Sequence, residues 1–377
     1  MSGSLKLDTL AKRFADVAAV DGVSLDLADG EHLALIGPSG CGKSTILLMV
    51  AGLLAPDGGE IHLGNRRVAG AGTWVEPDKR RVGMVFQDYA LFPHLTVSGN
   101  IGFGLDRLTK QERAHRVQEV LSLVGLEALS GRYPHELSSG QQQRVALARS
   151  LAPDPAVVLL DEPFSNLDRT LRESLRVETK AVLRRAGATA VLVTHDHSEA
   201  LGFGDRIAVM RSGHILQIGS PEELFDAPSD EFVATFLGSA DFLPARRADG
   251  GKIESEVGTF GPFEISAEGD LAVMVRPHEV TFDADSAGPA TIAGREYQGS
   301  TVLYELTLDS GSRLSCRRAP SPRFEVGARV QVRLIEEYPP VLFSEGRRIW
   351  PAGGTGGQQE SDVQRGGKSE WHACSGA

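Results

Sequence analysis

Two clusters of residues have the types and spacing of phosphate chemistry. The first is Gly37-Pro38-Ser39-Gly40-Cys41-Gly42-Lys43-Ser44-Thr45, set between an apolar strand-like segment and a helix-like one. In that context the glycines let backbone N–H groups turn inward around phosphates, and the following helix adds the positive end of its dipole. Lys43 is then expected to reach the β- and γ-phosphates of a nucleoside triphosphate, and the Ser44 hydroxyl to ligate Mg²⁺. A chance Gly-rich turn is set aside because strand, helix and every motif position agree. Cys41 reads as a small side chain tolerated in the loop, with a reactive thiol near a helix N-terminus as the alternative. The second cluster is Val157-Val158-Leu159-Leu160-Asp161-Glu162, an apolar strand ending in two carboxylates. At the carboxyl end of a buried parallel strand, Asp161 would hold Mg²⁺ through water, and Glu162 would face the γ-phosphate and polarise the attacking water. Alone, such a pair would be a solvated turn; after a phosphate loop in the same domain it is not.

The elements that must position these groups alternate along residues 1 to about 235. Leu33–Ile36, Val157–Leu160 and Val191–Val193 read as buried strands, separated by amphipathic helical segments. That is the pattern of an α/β domain with a helix-covered parallel sheet. Glu112–Leu126 reads as a helix because Val117, Val120, Leu121 and Val124 share one face. Past residue 240 the period becomes two, in Val302, Tyr304, Leu306 and Leu308 and again in Val330, Val332 and Leu334. A small all-β barrel or sandwich ending near Trp350 is expected there. The division is therefore 1–238, 239–350 and a Gly/Ser/Gln-rich tail, 351–377, expected to be disordered and given no chemistry, His372 and Cys374 included.

Composition narrows the function further. With 377 residues, 41% of them hydrophobic, the chain exceeds a single small module, and its net charge of −11 gives no broad basic surface for nucleic acid. Cys41, Cys316 and Cys374 lack zinc or redox spacing, so a reducing compartment is the natural reading. The N-terminus has no secretory signal, and the longest apolar stretch, Ile46–Ala55, falls short of the ~18 residues of a spanning helix.

Leu137-Ser138-Ser139-Gly140-Gln141 resembles the LSGGQ signature of ABC transporter ATPases, with Ser139 replacing the first of the two usual glycines. The resemblance runs in order through residues 1 to about 240. It implies an α/β P-loop NTPase fold, a RecA-like core plus a helical subdomain, in which the signature of one subunit closes on ATP held by the other. Phe14 matches the aromatic that stacks on adenine, an ordinary core Phe being the alternative. Gln87 matches the glutamine that touches Mg²⁺ and water and links the site to the helical subdomain. Ser165-Asn166-Leu167-Asp168 matches the D-loop between the two sites, and His195 the switch histidine beside Glu162. His94, His135 and His197 are read as surface or packing residues. By this resemblance Phe14, the loop from Gly37 to Thr45, Gln87, Ser138, Ser139, Gly140, Gln141 and Asp168 contact ATP. Ser44, Gln87 and Asp161 hold Mg²⁺, and Lys43, Glu162 and His195 carry the chemistry.

The segment from Phe232 to Leu243 and Val275-Arg276-Pro277 resemble the junction and OB/TOBE-like regulatory domain of importer ATPases that act with a periplasmic binding protein. Ferric-iron importers are the nearest in kind, then polyamine, sulfate and phosphonate importers. The implied partners are a second copy of the chain, integral membrane permease subunits and a periplasmic or extracellular solute-binding protein, with no nucleic acid. The implied location is peripheral, on the cytoplasmic face of the inner membrane. Two other readings remain at this stage: a soluble ABC ATPase acting on nucleic acid or ribosomes, and an ATP-dependent regulator whose β-domain senses a small molecule. Against the former stand a single motif set, no sustained heptads and no basic stripe.

Overall fold

The computed structural model describes residues 3–350 apart from 166, 266–268, 336, 337 and 339. The expectations for Asn166 and for the tail, with His372 and Cys374, lie outside the described residues. The centre is a six-stranded sheet of β3 (His32–Ile36), β7 (Val82–Val85), β8 (Val157–Asp161), β9 (Thr189–Thr194), β10 (Arg206–Arg211) and β11 (His214–Gly219). Its order is β11-β10-β3-β9-β8-β7, parallel throughout except for the antiparallel edge β11. A second, antiparallel sheet, ordered β2-β1-β4-β5-β6, uses β1 (Leu5–Phe14), β2 (Val17–Leu27), β4 (Gly58–Leu63), β5 (Arg66–Gly70) and β6 (Thr73–Trp74).

Strand β8 shows why the central strands read as continuous apolar runs. Val157 and Leu159 point into a core shared with helix α1 (Lys43–Ala51) and the antiparallel sheet, whereas Val158 and Leu160 point into a core of helices on the other face. Buried on both sides, the strand has no polar face to display. The helical face is built from α2 (Val97–Gly102), α3 (Lys110–Val124), α4 (Ser139–Leu151) and α5 (Arg169–Arg185). A third cluster joins β3 and β10 to α6 (His197–Phe203), α7 (Pro221–Asp226) and α8 (Glu231–Leu237).

Helix α3 begins and ends two residues earlier than periodicity placed it. Thr109 and Glu112 form a reciprocal capping box, the Thr109 hydroxyl accepting from the Glu112 N–H and the Glu112 carboxylate from the Thr109 N–H at 2.9 Å. Gly125, at φ 66°, stops the helix before Leu126.

From Asp241 to Trp350 the chain is β-rich, with two antiparallel sheets of six and five strands around one core. The period-two residues Val302, Tyr304, Leu306 and Leu308 all face it. Cys316 is buried there, its thiol donating to the Val280 carbonyl at 3.1 Å, and burial pushes its pKa up to about 12. It is an inert core thiol.

Arg276 ties this β-rich part to the ends of α7 and α8. Its guanidinium donates to the carbonyls of Phe225 at 2.6 Å, Ser239 at 3.3 Å and Ala234 at 3.4 Å, and lies 3.7 Å over the Phe225 ring. Replacing it by Met would leave those buried carbonyls without a donor. Arg276→Met is expected to lower stability by about 2–3 kcal/mol in urea denaturation, more than any surface Arg substitution.

His32 is buried against Phe203, with its Nε2 3.2 Å from the Ala188 carbonyl and its Nδ1 without a hydrogen bond. Burial first, then the Arg184 charge, lowers its pKa to about 4, against a raising effect from Asp205. The unfolded chain takes up this proton near pH 6.5, the folded chain only near pH 4, so the contribution is fully present above 6.5 and is lost as pH falls through that window. Wild type should lose about 2 kcal/mol between pH 7 and 5 that His32→Gln does not lose, as read from urea midpoints at both pH values.

Candidate functional site

The loop from Gly37 to Gly42 joins the end of β3 to the start of α1, as the motif requires. Two of its glycines are sterically obligatory. A Cβ on Gly37 would lie 2.2 Å from the Met210 carbonyl, and Gly42 has φ 108° with the Ala19 carbonyl 2.1 Å from where its Cβ would be. The Cys41 side chain is buried beneath the loop in the core around α1. That is the packing role and not an exposed thiol. Lys43 is also buried, and its Nζ donates to the carbonyls of Gly37 at 2.7 Å and Pro38 at 3.0 Å. The ammonium is thereby held along the inner edge of the loop.

The Ser44 hydroxyl donates to the Asp161 carboxylate at 3.1 Å. Burial raises the Asp161 pKa, partly opposed by that hydrogen bond. Together they are a pair of oxygen donors of the kind that hard divalent cations take.

Glu162 follows immediately, with φ 44°, a left-handed conformation that costs a non-glycine residue of the order of 1 kcal/mol. Its N–H donates to the Val193 carbonyl at 2.9 Å, and its own carbonyl accepts from the Ser165 N–H and hydroxyl. So fixed, its carboxylate sits 3.0 Å from His195 Nδ1. His195 leaves the end of β9 with its side chain 59% exposed, and Glu162 is 26% exposed, so the pair faces solvent.

Phe14 is 48% exposed at the tip of the β1–β2 hairpin, which excludes the core-Phe alternative. The same hairpin packs on the phosphate loop through Ala19. Gln87 is exposed in the turn after β7. Beyond it, Tyr89 and Ala90 are left-handed, at φ 62° and 45°, and Arg149 of α4 donates to both their carbonyls at 2.9 and 2.6 Å. This clamp between the Gln87 turn and α4 had one sequence trace, a lone arginine in the apolar run of α4.

Ser138 caps α4, its hydroxyl accepting from the Gln141 N–H while the Gln141 side chain accepts from the Ser138 N–H at 3.0 Å. Ser138 and Ser139 are exposed, and Gly140 is buried because a Cβ there would press on Leu175 of α5 at 3.0 Å. Asp168 caps α5, accepting from the Leu171 N–H at 3.0 Å. Lys43, Ser44, Asp161, Glu162 and His195 thus converge at the carboxyl ends of β3, β8 and β9. The serines of the α4 cap lie at a separate exposed helix end. His197, His94 and His135 pack on Phe236, Phe92 and Tyr133.

Residues 20–165 match the protein-family model described as ABC transporter, and residues 273–337 match that of the TOBE domain. "Fe(3+) ions import ATP-binding protein FbpC 2" of Rhodococcus jostii is 42% identical over 342 residues, 89% of this chain and 98% of its own length. The chain belongs to the ABC-transporter import ATP-binding subunits. Similar in degree are "Sulfate/thiosulfate import ATP-binding protein CysA" of Caulobacter vibrioides, 42% identical over 89% of this chain and 99% of that one, and "Spermidine/putrescine import ATP-binding protein PotA" of Ruegeria pomeroyi, 41% identical over 86% and 92%. Among solved structures, a dimeric ATP-binding cassette in a post-hydrolysis state bound to ADP and Pi is 33% identical, with a TM-score of 0.50, over 58% of this chain and 98% of that one. The cbiO1 cassette of Clostridium perfringens is 30% identical, with a TM-score of 0.53, over 58% and 89%. As a member of this family the chain is an ATPase that binds ATP. Among its described residues no helix is long and apolar enough to cross a membrane.

Proposed function

We propose that this ABC subunit energises import of ferric iron, closing as a head-to-tail homodimer on two ATP molecules at the cytoplasmic face of a membrane permease served by a solute-binding protein. The observation that carries the cargo is the 42% identity to an Fe(3+) import subunit, which spans 98% of that relative and so includes the β-rich part. Polyamine, sulfate and phosphonate are the alternative cargoes, and the sulfate and spermidine/putrescine subunits match almost as well.

In this reading the Phe14 ring stacks on adenine, the loop from Gly37 to Thr45 surrounds the phosphates, and Lys43 swings its Nζ from the Gly37 and Pro38 carbonyls to the β- and γ-phosphates. Ser44, Asp161 and Gln87 offer hydroxyl, carboxylate and amide oxygens, a donor set that fits Mg²⁺. When bound, that ion neutralises charge on the β- and γ-phosphates. Glu162 accepts a proton from the water that attacks the γ-phosphorus, and His195 holds the Glu162 carboxylate and the γ-phosphate in register. Ser138, Ser139, Gly140 and Gln141 of the partner subunit present a helix N-terminus to the same γ-phosphate. Asp168, which caps α5, sets the D-loop between the two sites. The Gln87 turn, clamped by Arg149, passes closure to the helices that face the permease.

Deleting the gene should abolish uptake of radiolabelled ferric iron, and a plasmid copy should restore it. Intact iron uptake with lost sulfate or spermidine uptake would replace the cargo while leaving the ATPase reading in place.

A further inference from the structure

Arg172 lies on the first turns of α5, and its three nitrogens face three different structural parts. Nη2 donates to the Leu167 carbonyl in the D-loop at 3.0 Å, and Nη1 to the Asp196 carboxylate at 3.3 Å. Nε is buried without a hydrogen bond, 3.6 Å from the buried Glu199 carboxylate. Asp196 is the residue after His195 and caps α6, accepting from the Glu199 N–H at 3.1 Å. Glu199 in turn accepts from the Thr194 hydroxyl, on the other side of His195. The two residues that flank His195 are therefore both linked to Arg172, Asp196 through its own carboxylate and Thr194 through that of Glu199.

From the opposite side, Ser165 of the D-loop holds the Glu162 carbonyl, and Glu162 meets His195. Arg172 thus stands between the Leu167 carbonyl of the D-loop and the Asp196 carboxylate next to His195, while Ser165 of the same loop holds the Glu162 that meets His195. Removing Arg172 frees both the Leu167 carbonyl and the Asp196 carboxylate and leaves the bonds between Ser165 and Glu162 and between Glu162 and His195 in place.

We infer that Arg172 is a positioning residue that makes the setting of His195 depend on the D-loop, so that the arrangement of one site's loop is felt at the imidazole of that site. A guanidinium suits the task because its planar fork aims separate nitrogens at the carbonyl and the carboxylate in fixed directions, which the single nitrogen of an ammonium does not. The inference rests on the proposed roles of Glu162 and His195.

The test is a double-mutant cycle on full-length protein, read by steady-state release of radiolabelled phosphate over a range of ATP concentrations. Arg172→Ala is expected to lower kcat roughly 10- to 100-fold, the effect of about 1 Å of misplacement, with KM for ATP within about threefold of wild type. Arg172→Lys should not restore it. In the His195→Ala background the same substitution should cost less than about twofold, because its effect is already gone. Full multiplicative loss in that background, or an unchanged kcat in Arg172→Ala, overturns the relay. If Arg172→Ala does not fold, Asp196→Asn keeps the helix cap while removing the charge pair, and the same thresholds decide. Wild-type activity in His195→Ala would instead sink the role of His195 itself.

Discussion

Glu162→Gln is expected to cut ATP hydrolysis roughly 10³-fold, the scale of losing a general base, while ATP affinity stays within about threefold. The substitution keeps the side-chain length, the left-handed backbone at φ 44° and the bonds from Ser165 and to Val193, since all of these use main-chain atoms. What it removes is the carboxylate 3.0 Å from His195 Nδ1 that can take a proton from water. An enzyme that binds ATP but does not turn it over should accumulate as a closed homodimer. Light scattering with saturating Mg·ATP checks this: a variant that stays monomeric at every concentration would remove the proposed sandwich. A variant that hydrolyses ATP at the wild-type rate would remove Glu162 from its role.

Lys43→Met should raise the Kd for ATP roughly 100-fold, about 3 kcal/mol, with hydrolysis falling below detection at ordinary nucleotide concentrations. The lysine is the buried cation at the loop's inner edge, and Met replaces its stem without its charge. Met also leaves the Gly37 and Pro38 carbonyls without their donor, so some loss of thermal stability is expected as well. Titration of a fluorescent ATP analogue separates the two effects, because instability alone would reduce the number of competent sites and leave their Kd unchanged. Binding within a few-fold of wild type would show that the backbone of the loop carries the affinity without the lysine.

Much of the site was legible because its parts are local. Gly37 to Thr45 and Val157 to Glu162 are contiguous, and each carries its strand with it, so loop, carboxylates and sheet edge can be read from adjacent residues. The Ser138–Gln141 and Thr109–Glu112 spacings are both capping boxes that mark helix starts, and periodicity alone, read without the second box, set the start of α3 two residues late. The exposed Phe14 was beyond local reading: a single aromatic in a strand has the same sequence appearance in a core and on a surface.

Arg80, Arg149, Arg172 and Arg276 were not legible as a class. Each is a cation at least partly buried, and each donates to main-chain carbonyls far away in the fold or at the end of an element: Arg80 to Met49, Val50 and Val75, Arg149 to Tyr89 and Ala90, Arg172 to Leu167, Arg276 to Phe225. A carbonyl has no residue type, so such a contact leaves no pattern of side chains to recognise.

The amino-acid sequence by itself determined the chemistry on offer, a phosphate loop, a pair of strand-end carboxylates and a histidine, together with the α/β and β-rich division that carries them. Only the tertiary structure decided the 3.0 Å contact of Glu162 with His195, the inward hold on Lys43, and the guanidinium groups that bind the D-loop to α5, the Gln87 turn to α4 and the β-rich part to α7 and α8. The physical reason is range: motif chemistry is written in neighbours along the chain, whereas orientation depends on main-chain groups that become neighbours only once the core has packed.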